Sequence, residues 1–323
     1  MTPQSVCILG GSGFVGQHLV ALLARRGFQI RVPVRRREEA KPLILLPGVE
    51  VLEADVHEPA TLGRLLAGMD AAINLVGILH ETASADGNPD KARRGSFRHA
   101  HVALPAKLLQ ACRTAGVTRL LHMSALGADP ASRSAYQRSK AEGEALVRKA
   151  ADLDVTVFRP SVIFGPGDSF LSLFADLMKL APIIPLADAS ARFQPVYVGD
   201  VVRAFADALD RPETRGRAYD LCGPKAYTLE QLIRLTAREL GLFRHVLPLG
   251  RSASLAFARL MELKPGRTLM TRDNHYAMQV DNVCKDGFPA LFGRATPLEG
   301  VIGYLREAHP RRHYMRFRTR AGR

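Results

Sequence analysis

The stretch VCILGGSGFVGQHL, residues 6–19, sets four glycines (Gly10, Gly11, Gly13, Gly16) within seven positions, between an apolar run and a run of helical period. Such a junction leaves little structural choice. One glycine makes a tight turn from strand to helix, one lets the backbone approach a pyrophosphate, and one lets the helix pack close against the strand. The helix that follows aims its free amides and positive dipole end at that phosphate. The turn therefore predicts dinucleotide binding, with Gly10, Ser12, Gly13, Phe14, Val15 and Gly16 as the cradle.

The rest of the first half repeats the same alternation. Strands are expected at 5–10, 29–34, 49–53, 71–76, 119–124 and 155–159, and helices at 14–26, 59–67, 98–115 and 135–151. Near-continuously apolar strands separated by helices imply right-handed βαβ crossovers and a parallel sheet covered on both faces. Residues 80–96 lack periodicity and read as an exposed loop. The expected fold is α/β: a Rossmann doubly wound parallel sheet with a smaller, mostly helical C-terminal substrate lobe. Residues 1–164 and 195–222 would form the sheet domain, 165–194 and 223–309 the smaller lobe, and 310–323 a basic tail. The chain beyond about 228 is expected to be mostly helical, opened by Thr228 with Gln231 at the capping-box position.

The second strand bears on which dinucleotide binds. A site for NAD usually ends this strand with a carboxylate on the ribose 2′-hydroxyl. Here it ends Val34-Arg35-Arg36-Arg37, with no carboxylate before Glu38. A guanidinium offers a 2′-phosphate a charge-assisted, bidentate partner. The expectation is NADP(H) rather than NAD(H), with Arg35 the leading contact and Arg36 the second.

The formal net charge of +14 is concentrated at 25–41 and 310–323. The first cluster lies beside the glycine turn and suits a small anion. The second holds six arginines interleaved with His313, Tyr314 and Phe317. It reads either as a solvated end or as a dock for an acidic protein partner or an anionic membrane surface. No helix-turn-helix or RNA-binding signature accompanies the charge, so nucleic acid is not an expected partner. Cys7, Cys112, Cys222 and Cys284 are scattered, without metal-ligand spacing, and read as buried reduced thiols. With no apolar run near the ~18 residues of a membrane span and no room for a signal peptide before the first strand, the expected location is cytoplasmic. Peripheral attachment to the inner face of a membrane is compatible with it.

In SAYQRSKAEGEAL, Tyr136 and Lys140 stand four apart on an expected helix and so share a face. A phenol with a pKa near ~10 is a poor acid or base at neutral pH, and a nearby ammonium would lower it by roughly 1–3 units. Coming after the fifth strand of a Gly-rich Rossmann unit, the pair is a candidate for proton transfer. His80, His99 and His101 could face the same pocket, or be surface loop histidines. Apolar segments at 170–189 and 255–263 could line a pocket for a lipophilic ligand such as a quinone, or be plain core.

The chain resembles the extended/atypical short-chain dehydrogenase/reductase superfamily. The resemblance runs through GGSGFVG, EADV (53–56), NLVG (74–77), AGVTRLLHMSALGA (115–128), YQRSK, FRPSVIFGPGD (158–168), PVYVGDV (195–201) and YDLCGPKAYTLEQL (219–232). Within it, the chain is most similar to the group of the NADPH-binding accessory subunit of respiratory complex I and its bacterial relatives. The resemblance implies that Asp55 and Val56 flank the adenine and that Val76 and Gly77 line the cofactor's middle. Tyr136 and Lys140 would reach the nicotinamide ribose, Pro160, Ser161 and Ile163 would lie against the nicotinamide, and Asp200 would join the two lobes. Active members carry Ser or Thr as the third residue of an S-S-[ST] run. Here the run is Ser124-Ala125-Leu126, so Leu126 stands where that hydroxyl is expected, and Ser124, Ser132 and Ser134 are the alternatives. Two functions follow from this pattern. One is a Tyr/Lys-dependent oxidoreductase acting on a carbonyl, quinone or nucleotide-sugar-like substrate. The other is a catalytically weak NADPH-binding accessory or assembly subunit of a complex I-type assembly.

Overall fold

A computed structural model describes residues 3–81, 95–263 and 270–307. In chain order the strands are β1 (Ser5–Leu9), β2 (Gln29–Val34), β3 (Val49–Glu53), β4 (Ala71–Asn74), β5 (Arg119–Met123), β6 (Asp154–Pro160), β7 (Ile163–Phe164), β8 (Ile183–Leu186), β9 (Arg192–Phe193), β10 (Val196–Tyr197), β11 (Arg217–Leu221), β12 (Tyr227–Thr228) and β13 (His245–Pro248). The helices are α1 (Phe14–Arg25), α2 (Lys41–Ile44), α3 (Pro59–Leu66), α4 (Leu104–Ala115), α5 (Ala135–Arg148), α6 (Leu171–Leu180), α7 (Val198–Leu209), α8 (Leu229–Glu239), α9 (Arg251–Leu263), α10 (Arg272–Ala277) and α11 (Tyr304–Glu307).

Seven strands form one parallel sheet in the order β11-β6-β5-β4-β1-β2-β3. The order reverses at β1, which places the Gly-rich turn at the crevice where such sheets bind ligands. Side chains of β1 alternate between the two covered faces. Val6 and Ile8 join a core shared with α1 and α7, whereas Cys7 and Leu9 join one shared with α3, α4 and α5. A third apolar core, with Phe164, Met178, Phe193, Leu232 and Leu305, gathers α6, α8 and α11 into the smaller lobe. Asp200 ties the two together: its carboxylate accepts from Thr296 N at 2.6 Å and Oγ1 at 3.0 Å.

Two departures from the sequence reading have local causes. The helix expected at 98–115 opens as a π turn over His99–Ala103, because Pro105 has no N–H to continue the α-helical ladder onto His101 O. The stretch after 228 is not all helix: β13 pairs in parallel with β8 some sixty residues earlier, a partner that no local pattern in so short a run reveals. The capping box at Thr228 forms with Gln231.

The cysteine expectation is corrected at one pair. Cys222 and Cys284 are disulfide-bonded, with Cα atoms 6.1 Å apart. Gln194 brings them together, donating from Nε2 to Gly223 O (2.6 Å) and accepting at Oε1 from Cys284 N (3.0 Å). Cys7 and Cys112 remain free and buried, and burial pushes each thiol up to about 12. No helix among the described residues is long and apolar enough to cross a membrane.

Candidate active site

At the Gly-rich turn, Gly10 has φ +79°, a conformation that side chains other than glycine rarely adopt. A Cβ on Gly16 would fall on the carbonyl of Gly10 and within 2.6 Å of the Gly11 backbone, so glycine alone lets α1 sit this close to β1. Gly13 caps α1 without any side-chain hydrogen bond, leaving the first-turn amides of Phe14, Val15 and Gly16 for an anion. Ser12 accepts at its carbonyl from Gln17 Nε2 (2.8 Å), which fixes the turn. His18 contacts Pro166 O at 2.9 Å and the Phe14 ring lies beside Gly167, so the 165–168 loop folds over the cradle. Asp168 holds that loop, accepting from Gly165 N, Ser172 N and Tyr304 Oη. These residues fit a dinucleotide pyrophosphate, which they would bind through backbone amides.

The other cofactor candidates follow the C-terminal ends of neighbouring strands. Asp55 and Val56 follow β3, with Asp55 Oδ1 accepting from His57 N (3.0 Å). Val76 and Gly77 follow β4, and Val76 N donates to Asn74 Oδ1 (3.1 Å). Pro160 ends β6, Ser161 follows it, and Ile163 opens β7. Beyond β2, Arg35 is 86% exposed, its guanidinium 3.8 Å from Glu39, and Arg36 is exposed beside it.

Tyr136 and Lys140 lie on α5, as their spacing predicts. Lys140 Nζ donates to Met123 O (3.2 Å) at the end of β5, and it lies where a Cβ on Gly77 would come within 3.2 Å. Burial lowers this ammonium to about 8. The Tyr136 hydroxyl makes no hydrogen bond among the described residues. Its pKa runs opposite to the sequence expectation: burial first, and the Asp273 carboxylate second, raise it to about 12. In this arrangement desolvation outweighs any help from Lys140.

His101 is the histidine that reaches the site. It is 2% exposed and stands edge-on to the Tyr136 ring, with centroids 5.5 Å apart. Its Nε2 accepts from Ile78 N (3.1 Å), which makes Nδ1 the protonated nitrogen, donating to Ser139 Oγ (2.9 Å). The Ser139 hydroxyl then donates to Tyr136 O (2.8 Å). Burial, with Lys140 and His122 adding to it, lowers His101 to about 2, so this chain carries no charge. It links the strip after β4 to the helix that bears Tyr136. The π turn delivers it, and Gly143 permits it, because a Cβ there would occupy the place of His101 O. His99 stacks on His57, and His80 is exposed outside this cluster.

The hydroxyls expected to replace the one missing at Leu126 are otherwise engaged. Ser132 donates to Gln137 Oε1 (2.5 Å) and Ser134 to Asp273 Oδ2 (2.8 Å). Ser161 donates to Asn282 Oδ1 (2.5 Å), and Asn282 Nδ2 donates to Leu126 O (3.1 Å). Ser124 is buried and acts on Glu144, two turns along α5 from Tyr136. Its hydroxyl forms no hydrogen bond of ordinary geometry but helps, with Arg159, to hold the Glu144 carboxyl below its usual range against the opposing effect of burial. Asp273 and Asn282, which sequence reasoning missed, come from 137 and 121 residues away, and no local pattern marks them.

The family profile described as NAD dependent epimerase/dehydratase matches residues 6–222. The chain belongs to that family. It is 30% identical over 305 residues to NADH dehydrogenase (ubiquinone) 1 alpha subcomplex subunit 9, mitochondrial, of Rattus norvegicus, a match covering 90% of this chain and 77% of that one. It is 35% identical over 200 residues to the ceramide reductase of Caulobacter vibrioides, covering 60% of this chain and 57% of the relative. Among solved structures, gox2253 superposes with a TM-score of 0.72 at 21% identity, covering 96% of this chain and 98% of that one. MoeE5 in complex with UDP-glucose and NAD gives 0.67 at 19% identity, covering 95% and 99%. At these identities the structural matches speak for the fold.

Proposed function

We propose that this epimerase/dehydratase-family chain is an NADP(H)-dependent reductase of a lipophilic carbonyl compound, with Tyr136 as proton donor. The observation that carries the reading is the half-buried Tyr136 beside Lys140: its hydroxyl has no hydrogen-bond partner among the described residues and is protonated well past neutral pH. A phenol so held carries its proton at neutral pH and cannot act there as a base, which favours the reductive direction; because the raised pKa also makes it a weak acid, the transfer relies on the positive charge of Lys140 beside it. When bound, the reduced nicotinamide supplies the hydride. Lys140, lowered to about 8, keeps a mainly positive charge at neutral pH next to the developing alkoxide. The neutral His101 chain fixes where Tyr136 stands. Gly10, Ser12, Gly13, Phe14, Val15 and Gly16 would hold the pyrophosphate, and Asp55, Val56, Val76, Gly77, Pro160, Ser161 and Ile163 the remainder. Arg35 and Arg36 favour NADP(H), since either guanidinium can reach into solvent toward a 2′-phosphate.

The substrate class follows from what surrounds Tyr136. Leu126 replaces a hydroxyl, the nearby serines are committed, and Leu79, just beyond Gly77, is 59% exposed. Two relatives named as ceramide reductase and 2-alkyl-3-oxoalkanoate reductase support an apolar chain beside the carbonyl rather than a nucleotide sugar. Cytoplasmic placement belongs to the same reading. The test mixes purified protein with NADPH and a panel of long-chain 3-oxo compounds and quinones, following loss of the reduced nicotinamide. Turnover that falls by ~10²-fold or more in Tyr136→Phe is expected, and no loss beyond the Tyr136→Phe rate refutes a reductase.

Two observations favour a second reading, a catalytically weak accessory subunit. Leu126 lacks the oxygen that would orient a substrate, and the complex I subunit match spans 90% of the chain. Tight NADPH binding without single turnover on any panel member would select it.

A further inference from the structure

The 165–168 loop lies over the phosphate cradle, but its fastening comes from the smaller lobe. Gly165 and Gly167, on either side of Pro166, both stand at positive φ, so the backbone there accepts a hinge movement without side-chain conflict. Toward the cradle the loop makes light contacts. His18 Nε2 meets Pro166 O at 2.9 Å, and Gly167 lies beside the Phe14 ring. Both partners belong to α1, the helix whose first-turn amides face the phosphate. A loop lifted from α1 would uncover that phosphate.

The stronger attachment is on the other side. Asp168 is buried, and among the described residues no cation pairs with it, so hydrogen bonds meet its charge. Its Oδ2 accepts from Gly165 N (3.1 Å) and from Tyr304 Oη, and its Oδ1 accepts from Ser172 N (3.1 Å). The Gly165 bond closes the loop on itself, and the Ser172 bond ties it to the first turn of α6. Tyr304 arrives from 136 residues along the chain. It opens α11 and is buried in the core of the smaller lobe. Burial first, and the Asp168 charge second, raise its phenol above the usual range, so its proton stays available to the carboxylate. Arg306 pins the same helix to the end of α8, donating to Glu239 O (2.7 Å) and pairing with Glu239 Oε1 (2.9 Å). Where α11 sits therefore decides whether a buried carboxylate of the loop keeps its hydroxyl donor.

We propose that Tyr304 is the positioning residue that keeps the 165–168 loop closed over a bound dinucleotide, so that α11 of the smaller lobe sets how fast the cofactor leaves the cradle. The proposal rests on the dinucleotide reading of the cradle and not on the reductase reading. The experiment loads the full chain with NADPH, mixes it with excess NADP+ in a stopped-flow instrument, and follows the fall of NADPH fluorescence. Tyr304→Phe keeps the ring in its core and removes the hydroxyl. Release should accelerate by about tenfold or more, the worth of one hydrogen bond to a charged group. Asp168→Ala should accelerate release as well, and adding Tyr304→Phe to it should change the rate by less than about twofold, since the two act through one bond. Ile184→Ala, in the same core but outside these bonds, is the folding control. It should lower the melting temperature and leave release within about twofold of the parent. Equal acceleration in Ile184→Ala overturns the proposal, because general loosening of the lobe would then suffice. An unchanged release rate in Tyr304→Phe overturns it too and leaves the cradle reading standing. A parent chain that holds neither NADPH nor NADH removes both.

Discussion

Asp273 offers the sharpest test of how the small lobe governs Tyr136. Its carboxylate sits at the start of α5 and accepts from Ala135 N (2.6 Å), Tyr136 N (3.2 Å) and Ser134 Oγ (2.8 Å). These are the free donors of a helix N-terminus, where losing one capping side chain costs ~0.5–2 kcal/mol and losing a favourable charge ~0.3–1 kcal/mol more. Ser134 keeps its own weak cap on Gln137 N (3.3 Å), so helix α5 survives the change. Asp273→Ala should therefore destabilise by about 2–3 kcal/mol, the upper part of that sum, because three donors are lost together. Asp273→Asn keeps an acceptor but loses the charge, and should cost about half as much. The two variants separate position from charge at Tyr136. The Asp273 carboxylate is the second cause, after burial, of the raised phenol, so Asp273→Asn lowers the Tyr136 pKa from about 12 while burial still keeps it high. Activity that needs the protonated phenol is then unchanged near neutral pH, and its alkaline limb moves to lower pH. Urea unfolding measures the stability cost, and the pH dependence of NADPH oxidation or of tyrosinate absorbance, differenced against Tyr136→Phe, measures the charge. A stability change below about 0.5 kcal/mol in Asp273→Ala, or an unmoved alkaline limb in Asp273→Asn, refutes the argument.

Three further outcomes are expected. Arg159→Met strips the buried Glu144 of its bidentate partner and leaves it Arg148, 3.7 Å away, so it should cost about 3 kcal/mol, the low end for breaking a buried pair, at neutral pH, read by urea unfolding. Glu144 titrates below its usual range in the native protein, so the pair's stabilisation is present at neutral pH and fades as pH falls through that lowered value. In the variant burial raises Glu144 instead, and the deficit should shrink in mild acid. Arg35→Ala should weaken NADPH binding by about tenfold, one charge-assisted pair, and leave NADH within about twofold, by fluorescence titration; equal losses would dismiss Arg35 as the 2′-phosphate contact. Cys222→Ser/Cys284→Ser opens a loop of 62 residues, which the chain-entropy account values at about 4 kcal/mol or less; a melting curve under oxidising conditions identical to the parent's would show that the bond does not form in solution.

How far the site was legible depends on sequence distance. Gly10, Gly13 and Gly16 act within one turn, and their demand for a bare backbone is local, so the cradle could be read from seven residues. Tyr136 and Lys140 share a helix face because four residues make about one turn. His101 was visible only as a candidate. Its burial depends on Pro105 opening a π turn and on Gly143, far along the chain, leaving room for it. Asp273 and Asn282 could not be found at all, since each acts by docking across more than a hundred residues.

By itself, then, the sequence determined the parallel Rossmann sheet, the phosphate-binding turn and the presence of a Tyr/Lys pair, all consequences of short-range periodicity and glycine stereochemistry. Only the tertiary structure decided the protonation of that pair. Desolvation raises Tyr136 and lowers Lys140, and Asp273 of the smaller lobe adds its charge at Tyr136. It also decided that Ser132, Ser134 and Ser161 are spent on structural hydrogen bonds, and that two of the four cysteines meet. Desolvation and long-range contact are properties of the packed chain, and no local pattern of residues encodes them.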